Sequence, residues 1–259
     1  QDIYIFPFIR YTSNLRLITL PKPAEDLAKY FDPRDTRIVG GSEAAEGSHP
    51  HMAALHSGIL VSNYFCGGAV VARRSILTAA HCIGAGSLRV TVGTNRWNVG
   101  GQTYRFSHDV THPEYEFIEI RNDIGLLITD TDIEFSKLVQ PVPLSFDFIP
   151  GGVDARLAGW GRITAGGPIP PTLLELDTSV VDADTCVKLA ADYYNYSSSI
   201  CFSVLHQGDS GSALVRIETG EHIGLVSWGF PCATGEPDVL VRTSAYKDFL
   251  TIIYLQFNT

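Results

Sequence analysis

Three short strings in this chain contain the residue types that acyl transfer through a serine requires. His81 lies in the string TAAHC, Asp123 in NDIGLL and Ser210 in GDSGS. A serine nucleophile needs a base that takes its proton and a carboxylate that orients the base. The glycines around Ser210 permit a tight turn in which the amides of Gly208 and Ser210 point at one spot, as an oxyanion hole requires. The strings therefore predict nucleophilic catalysis by His81, Asp123 and Ser210.

The order of these residues along the chain separates the known plans of serine hydrolases. An α/β-hydrolase places its serine first, within G-x-S-x-G, and its histidine last. Here position 212 is Ser rather than Gly. The only histidine after Ser210 is His222, and it precedes the later acidic residues Glu236 and Asp238. A lipase or esterase is therefore disfavoured, and the order His, Asp, Ser matches the chymotrypsin arrangement.

The elements that must position these residues are short strands. Residues 38 to about 245 consist of β-branched or alternating segments such as SILTAAHC, IGLLIT and HIGLVSWG, separated by turns rich in Gly, Pro, Asn and Asp. Many short strands at regular spacing predict an all-β sandwich or barrel rather than a βαβ fold.

Two helical patches interrupt the strands. The first covers residues 182–192 and has Asp182 as its cap candidate. The second covers residues 244–256, with Ser244 as N-cap. Its apolar residues Leu250, Ile253 and Leu255 are expected to be mostly buried.

The composition restricts the class of protein. The chain has 259 residues, of which 45% are hydrophobic and 18% charged, with a net charge of −9. This is typical of a globular chain, and the acidic balance without a basic cluster makes nucleic acid a poor partner. No apolar run approaches the ~18 residues that cross a bilayer, so no membrane partner is expected. The chain contains 14 Arg and only 5 Lys, which suits an alkaline compartment because Arg keeps its charge there.

Neither a metal nor another cofactor is expected. The five cysteines include no C-x-x-C spacing, so a cysteine-based zinc site is disfavoured. The pairs His49 and His51, and His108 and His112, have spacings that imitate metal ligands. However, a strand would hold His108 and His112 roughly 13 Å apart. We interpret all four histidines as surface residues.

Taken together, the strings make the chain similar to the trypsin-like serine proteases of the chymotrypsin fold. The resemblance covers residues 38–259 and rests on RIVGG at 37–41, TAAHC, NDIGLL, GDSGS, GWG at 159–161 and SWG at 227–229. Insect digestive and haemolymph chymotrypsin-like members look most similar. The resemblance implies two six-stranded antiparallel β-barrels with a C-terminal helix, and the active site between the two halves.

The resemblance also implies a division of the chain into three parts. Residues 1–37 are expected to be an activation propeptide, residues 38–141 the N-terminal barrel half, and residues 142–259 the C-terminal half. The Arg37–Ile38 bond looks like the activation site of a zymogen. After cleavage, the new amino group of Ile38 would pair with Asp209. Since the arm is present and the chain lacks an initiator Met and a signal sequence, we expect a secreted, inactive precursor.

The cysteines match the family pattern only in part. The resemblance implies two disulfides, Cys66–Cys82 and Cys186–Cys201, and thus an oxidising compartment. Cys232 is left over, because its expected partner position holds His206. We interpret Cys232 as a buried free thiol beside a pocket that is looser than in typical relatives.

The specificity pocket departs from the family as well. The segment between Cys201 and Ser210 is about four residues shorter than in typical relatives. Counting back from Ser210 puts Val204 at the pocket floor, where trypsins carry Asp, with Leu205 beside it. Asp238 lines the wall, as in some broad-specificity relatives. The remaining substrate-binding positions implied by the family are Gln207, Ser227, Trp228 and Gly229. These residues favour chymotrypsin-like or broad cleavage.

Two functions stay open at this point. The first is a secreted serine endopeptidase precursor that acts on proteins or peptides as a monomer. Because its pocket lacks an acidic floor, a separate trypsin-like protease is expected to cleave after Arg37. The second is a catalytically impaired homologue that acts in binding or signalling, with an intact triad and a malformed pocket. Labelling of Ser210 by an organophosphonate after activation would distinguish them.

Overall fold

The architecture was obtained from a computed structural model of the 259-residue chain. It describes residues 41–58, 63–84, 86–118, 120–162, 167–182, 184–186, 199–202, 209–228 and 238–258. Several residues singled out by the sequence lie outside these ranges: Arg37, Ile38, Val204, Leu205, His206, Gln207, Gly208, Gly229 and Cys232.

The first barrel is a sheet of seven described strands in the order β6-β5-β2-β3-β4-β8-β7. Its strands are β2 (Met52–Ser57), β3 (Asn63–Ala72), β4 (Ser75–Thr78), β5 (Leu88–Val92), β6 (Gln102–Tyr104), β7 (Phe106–Thr111) and β8 (Gly125–Thr129). Only Arg105 separates β6 from β7, so these two pieces follow each other as one interrupted strand. All pairings within the sheet are antiparallel.

The second barrel is closed by six strands. They are β9 (Asp154–Gly159), β10 (Leu174–Val181), β11 (Ser199–Phe202), β12 (Ala213–Arg216), β13 (His222–Trp228) and β14 (Asp238–Arg242). The order is β10-β11-β14-β13-β12-β9, and β9 also pairs with β10, which closes the ring. The short strand β1 (Ser42–Glu43) adds to the outer edge of β10. The expected pair of antiparallel barrels is confirmed.

Each barrel surrounds its own apolar core because alternate strand residues point inward. In the first barrel the fully buried residues include Leu55, Val70, Ile76 and Val90. The second barrel buries a separate cluster: Leu157, Val180, Ile200, Leu214 and Leu240.

The C-terminal helix α1 (Lys247–Phe257) packs where the two barrels meet. Leu250 and Ile253 are buried with Leu77 of the first barrel and Leu225 of the second. The expected burial of Leu255 is wrong, because this side chain is 56% exposed. Positions three apart share a helix face, whereas Leu255, two residues beyond Ile253, points away from it.

The two N-cap residues predicted from the sequence, Asp182 and Ser244, have different outcomes in the structure. The Asp182 carboxylate accepts hydrogen bonds from the Thr185 backbone N–H at 2.9 Å and from its hydroxyl at 2.8 Å, as an N-cap does. The proposed Ser244 cap is wrong, since a 3₁₀ turn over Thr243–Tyr246 precedes α1 and places Ser244 before the helix starts. Residues 187–198 of the first patch lie outside the described ranges.

Both expected disulfides, Cys66–Cys82 and Cys186–Cys201, are present. Within the described ranges, no helix is long and apolar enough to cross a membrane.

Candidate active site

His81 is held at the end of β4, on the first barrel. The strand ends at Thr78, and a 3₁₀ turn over Ala80–Cys82 carries the imidazole away from the sheet. The disulfide to Cys66 of β3 anchors this turn. The His81 side chain is 26% exposed, whereas that of Asp123 is completely buried. The turn therefore presents one accessible imidazole above a buried carboxylate.

The Asp123 carboxylate accepts three hydrogen bonds. Its Oδ2 lies 2.7 Å from His81 Nδ1, and its Oδ1 accepts the His81 backbone N–H at 2.9 Å. Ser227 Oγ donates to Oδ2 at 2.6 Å. Because an ionised carboxylate only accepts, the His81 Nδ1 carries the proton of this bond. The other ring nitrogen, Nε2, is thereby left as the basic site of His81.

Asn122 places Asp123 by adopting a left-handed backbone conformation, with φ of 52°. Its side chain supports that conformation from both ends, because Nδ2 donates to Glu114 O at 2.8 Å and Oδ1 accepts from the Tyr246 hydroxyl at 2.9 Å. Asn tolerates this region better than most residues. Neither Asn122 nor Tyr246 was assigned a role from the sequence. The Asn before Asp123 was the only available signal.

The turn that carries Ser210 is fixed between the two barrels. The Gly67 N–H of β3 donates to Ser210 O at 2.8 Å, and the Gly211 N–H donates to Val226 O of β13 at 2.8 Å. Gly211 has φ of 83°, and a Cβ there would collide with Gly67 O and Thr78 Oγ1. Only glycine fits this position. The turn thus lies directly against the end of β4, three residues before His81.

Asp209 is buried next to the GWG string. Its Oδ1 accepts the Gly161 N–H at 2.8 Å. A Cβ at Gly159 or Gly161 would collide with the carboxylate, which explains why glycines flank Trp160. Tyr64, which no sequence motif singled out, faces the same carboxylate. Burial, and then the charge of Asp209, raises the pKa of Tyr64 well above its usual range, although a hydrogen bond to the Trp160 backbone opposes this.

Three of the expected pocket residues lie in the described ranges. Ser227 is buried, Trp228 is half-buried and Asp238 is 3% exposed at the first position of β14. Asp238 pairs with Phe202 in the register of β11 and β14. The floor residues Val204 and Leu205 and the other pocket positions lie outside the described ranges, so the pocket assignment stays a prediction.

The interpretation of four histidines as surface residues is wrong for His49 and His51. The His49 side chain is 7% exposed, with its Nε2 2.5 Å from Glu175 Oε2. His51 is 8% exposed, and burial, together with His49 and His222, lowers its pKa to about 3. Their position between the barrels, set by long-range contacts, buries them. His108 is exposed, as expected.

One group of potential metal donors lies close together in the described part of the chain. Cys66, His81 and Cys82 have ligand atoms within 4.8 Å of one another. The two cysteines form a disulfide with each other, and a disulfide lacks the thiolates that bind metals. The three residues lie close together because the Cys66–Cys82 disulfide anchors the turn that carries His81.

Two antiparallel barrels, with an accessible His bonded to a buried Asp on one and a glycine-flanked serine turn between them, define a serine hydrolase of the two-barrel class. The sequence model of the Trypsin family matches residues 38–250. Chymotrypsin-2 of Vespa crabro is 37% identical over 222 residues, covering 82% of this chain and 98% of that protein. Trypsin of Phaedon cochleariae is 27% identical, over 93% of this chain and 97% of its own. Hypodermin-B of Hypoderma lineatum is 32% identical, over 84% and 87%. The chain belongs to the trypsin family of serine proteases.

Proposed function

We propose that the chain is the precursor of a secreted serine endopeptidase that hydrolyses peptide bonds through Ser210, His81 and Asp123. The observation that carries this proposal is the buried Asp123 carboxylate, bonded to both His81 Nδ1 and Ser227 Oγ. The same bonds make His81 Nε2 available as a base, and the turn that carries Ser210 lies against Thr78, three residues before His81. The two disulfides support a secreted location.

The reaction follows from these roles. Ser210 Oγ attacks the carbonyl carbon of the scissile bond while its proton passes to His81 Nε2. The amides of Gly208 and Ser210 stabilise the negative charge on the carbonyl oxygen. The imidazolium of His81 then donates its proton to the departing amine, which leaves an ester on Ser210. A water molecule attacks this ester by the same steps, with His81 as base, and releases the acid product.

Activation requires cleavage of the Arg37–Ile38 bond by a separate trypsin-like protease. The new α-ammonium group of Ile38 pairs with the carboxylate of Asp209, one residue before the nucleophile. Removing either member of a buried ion pair costs about 3–5 kcal/mol. The buried position of Asp209, in contact with Gly161, supports this role.

We assign residues 1–37 to the activation arm, residues 38–141 to the first half and residues 142–259 to the second. The linker between the halves supports this boundary. Val142 N–H donates to Val70 O of the first barrel at 2.9 Å, and Pro143 O accepts the His222 N–H of the second at 2.8 Å. The chain thus passes from one barrel to the other at Val142–Pro143. We propose a monomer.

The specificity we propose is chymotrypsin-like or broad. An apolar floor at Val204 and Leu205 suits large apolar side chains, while the buried carboxylate of Asp238 would attract a basic one. The relatives include both a chymotrypsin and trypsins. A fluorogenic substrate panel on the activated protein tests this, and strict cleavage after Arg and Lys would contradict the apolar floor.

A catalytically impaired homologue is the second candidate. Ser212, fully buried behind the nucleophile turn, and the leftover Cys232 favour it. The deciding experiment is trypsin cleavage at Arg37, confirmed by N-terminal sequencing, followed by an organophosphonate label. We expect stoichiometric labelling, and none in the Ser210→Ala variant. A cleaved protein that takes no label would favour the binding function.

A further inference from the structure

A closed ring of three hydrogen bonds joins segments that are far apart in the sequence. The Ala44 N–H donates to Leu173 O at 3.0 Å, and the Leu173 N–H donates to Asn95 O at 2.7 Å. Asn95 Nδ2 completes the ring by donating to Ala44 O at 2.8 Å. Ala44 follows β1, six residues after Ile38 in the sequence, Asn95 lies in the loop after β5, and Leu173 precedes β10. Both barrels therefore meet at Asn95.

Asn95 makes two more bonds that extend the ring in opposite directions. Its Nδ2 also donates to Ala45 O at 3.1 Å, and its carbonyl accepts the indole N–H of Trp160 at 2.9 Å. Trp160 is completely buried, and the next residue, Gly161, donates its N–H to Asp209. One residue thus bonds both to the N-terminal segment and to the tryptophan whose neighbour holds Asp209.

Aromatic side chains hold Trp160 from the other side. The ring centroid of Tyr64 lies 5.8 Å from that of Trp160 and 6.0 Å from that of Trp97, which comes from the same loop as Asn95. Tyr64 is the titratable side chain that faces Asp209 here, and its raised pKa keeps it protonated over the range used below. A displaced Asn95 loop would therefore disturb both the hydrogen bond and the ring contacts of Trp160.

We propose that Asn95 is a positioning residue for activation. It fixes the N-terminal segment at Ala44–Ala45 relative to Trp160–Gly161, and through Gly161 it fixes Asp209. The inference rests on the proposed function, in which the Ile38 amine must reach Asp209 from the segment that Asn95 holds. Without Asn95, the amine and carboxylate would meet in a poorer geometry, and a larger fraction of molecules would have the nucleophile turn misplaced.

The test uses the full-length precursor with Asn95→Asp, an isosteric change that points an oxygen, in place of the donor, at the carbonyls of Ala44 and Ala45. Asn98→Asp is the matched control, because Asn98 is exposed in the same loop and the charge change is identical. Each protein is cleaved after Arg37 and its active sites are titrated with the organophosphonate. We then measure kcat and KM, and the pH at which kcat falls to half on the alkaline side, where the amine loses its proton.

We expect Asn95→Asp to lower kcat about tenfold with little change in KM, and to move the alkaline midpoint down by about one pH unit, since a tenfold weaker ion pair shifts the amine pKa by that amount. Asn98→Asp should match the parent. Trp160→Phe loses the indole N–H but keeps an aromatic ring, and it should shift the alkaline midpoint in the same direction. This variant replaces Asn95→Asp as the test if Asn95→Asp fails to fold.

An active parent with unmoved midpoints in the variants would overturn the role of Asn95, even if their melting temperatures fell. A cleaved parent that takes no label would instead overturn the proposed function, and this inference with it.

Discussion

We expect two buried histidines to lower the stability of this protein in mild acid. His222 is completely buried, with Nδ1 2.8 Å from Thr243 Oγ1, and its Nε2 has no partner among the described residues. Burial lowers the pKa of His222 to about 4 and that of His51 to about 3. Both imidazoles are therefore neutral in the folded protein at pH 5, where an unfolded chain would protonate them.

Proton linkage gives the direction and the size of this change in the free energy of unfolding. A histidine whose folded pKa lies below its unfolded value near 6.5 contributes full stability above pH 6.5, and the contribution is lost as the pH falls toward the folded pKa. In that pH range, each such histidine lowers the free energy of unfolding by about 1.4 kcal/mol for every unit by which the pH falls. Between pH 7 and pH 5, His51 and His222 together should remove roughly 4 kcal/mol, a large part of the ~5–15 kcal/mol of a typical domain.

Urea unfolding of the Ser210→Ala precursor, which cannot digest itself, measures this loss at pH 7, 6 and 5. The variant His222→Asn keeps a polar atom near Nδ1 but cannot bind a proton, so its stability should fall by roughly 2 kcal/mol less over the same range. His108→Asn, at an exposed position, is the control and should follow the parent. Parallel curves for His222→Asn and the parent would refute the reasoning.

Four further substitutions test individual contacts. Ser212→Ala should raise the free energy of unfolding by about 1–2 kcal/mol, because Ser212 Oγ is buried without a partner in the described structure; an unchanged or lower urea midpoint would contradict this. Tyr246→Phe should lower kcat/KM about fivefold through loss of one hydrogen bond to Asn122, and unchanged kinetics would show that Asn122 holds Asp123 alone. Leu250→Ala should cost about 2–5 kcal/mol and Leu255→Ala less than about 0.5, as thermal unfolding of the two will show.

The parts of the site that were predictable from sequence are those encoded by local strings. His81 and Asp123 occupy strand ends whose surrounding residues specify the turns, so their pairing could be expected and is present. Asn95 could not be found this way, because its partner Trp160 lies 65 residues away and the bond uses a backbone carbonyl. Any residue has such a carbonyl, so residue type carries no signal for it.

The wrong prediction for His51 also has its origin in long-range contacts. His51 was interpreted as a surface residue, yet it is 8% exposed. In the structure the linker at Gln140–Pro143 and strand β13 cover this region, since Gln140 N–H donates to Pro50 O at 2.9 Å. Burial of a polar side chain by a segment ninety residues away depends on how two barrels dock, which the local pattern does not encode.

We infer a neutral to alkaline working range from two independent features. Buried neutral His51 and His222 cost nothing above pH 6.5 and become a penalty only below it. The excess of Arg over Lys leaves most of the positive charge of the chain unaffected by alkaline pH. Protonation of His51 and His222 limits folding on the acid side, whereas the Ile38–Asp209 pair of the proposed function limits activation on the alkaline side, where the amine loses its proton. The pH range of the folded, activated protein thus depends on two separate proton equilibria, and His222→Asn should extend the range of the folded state only toward acid.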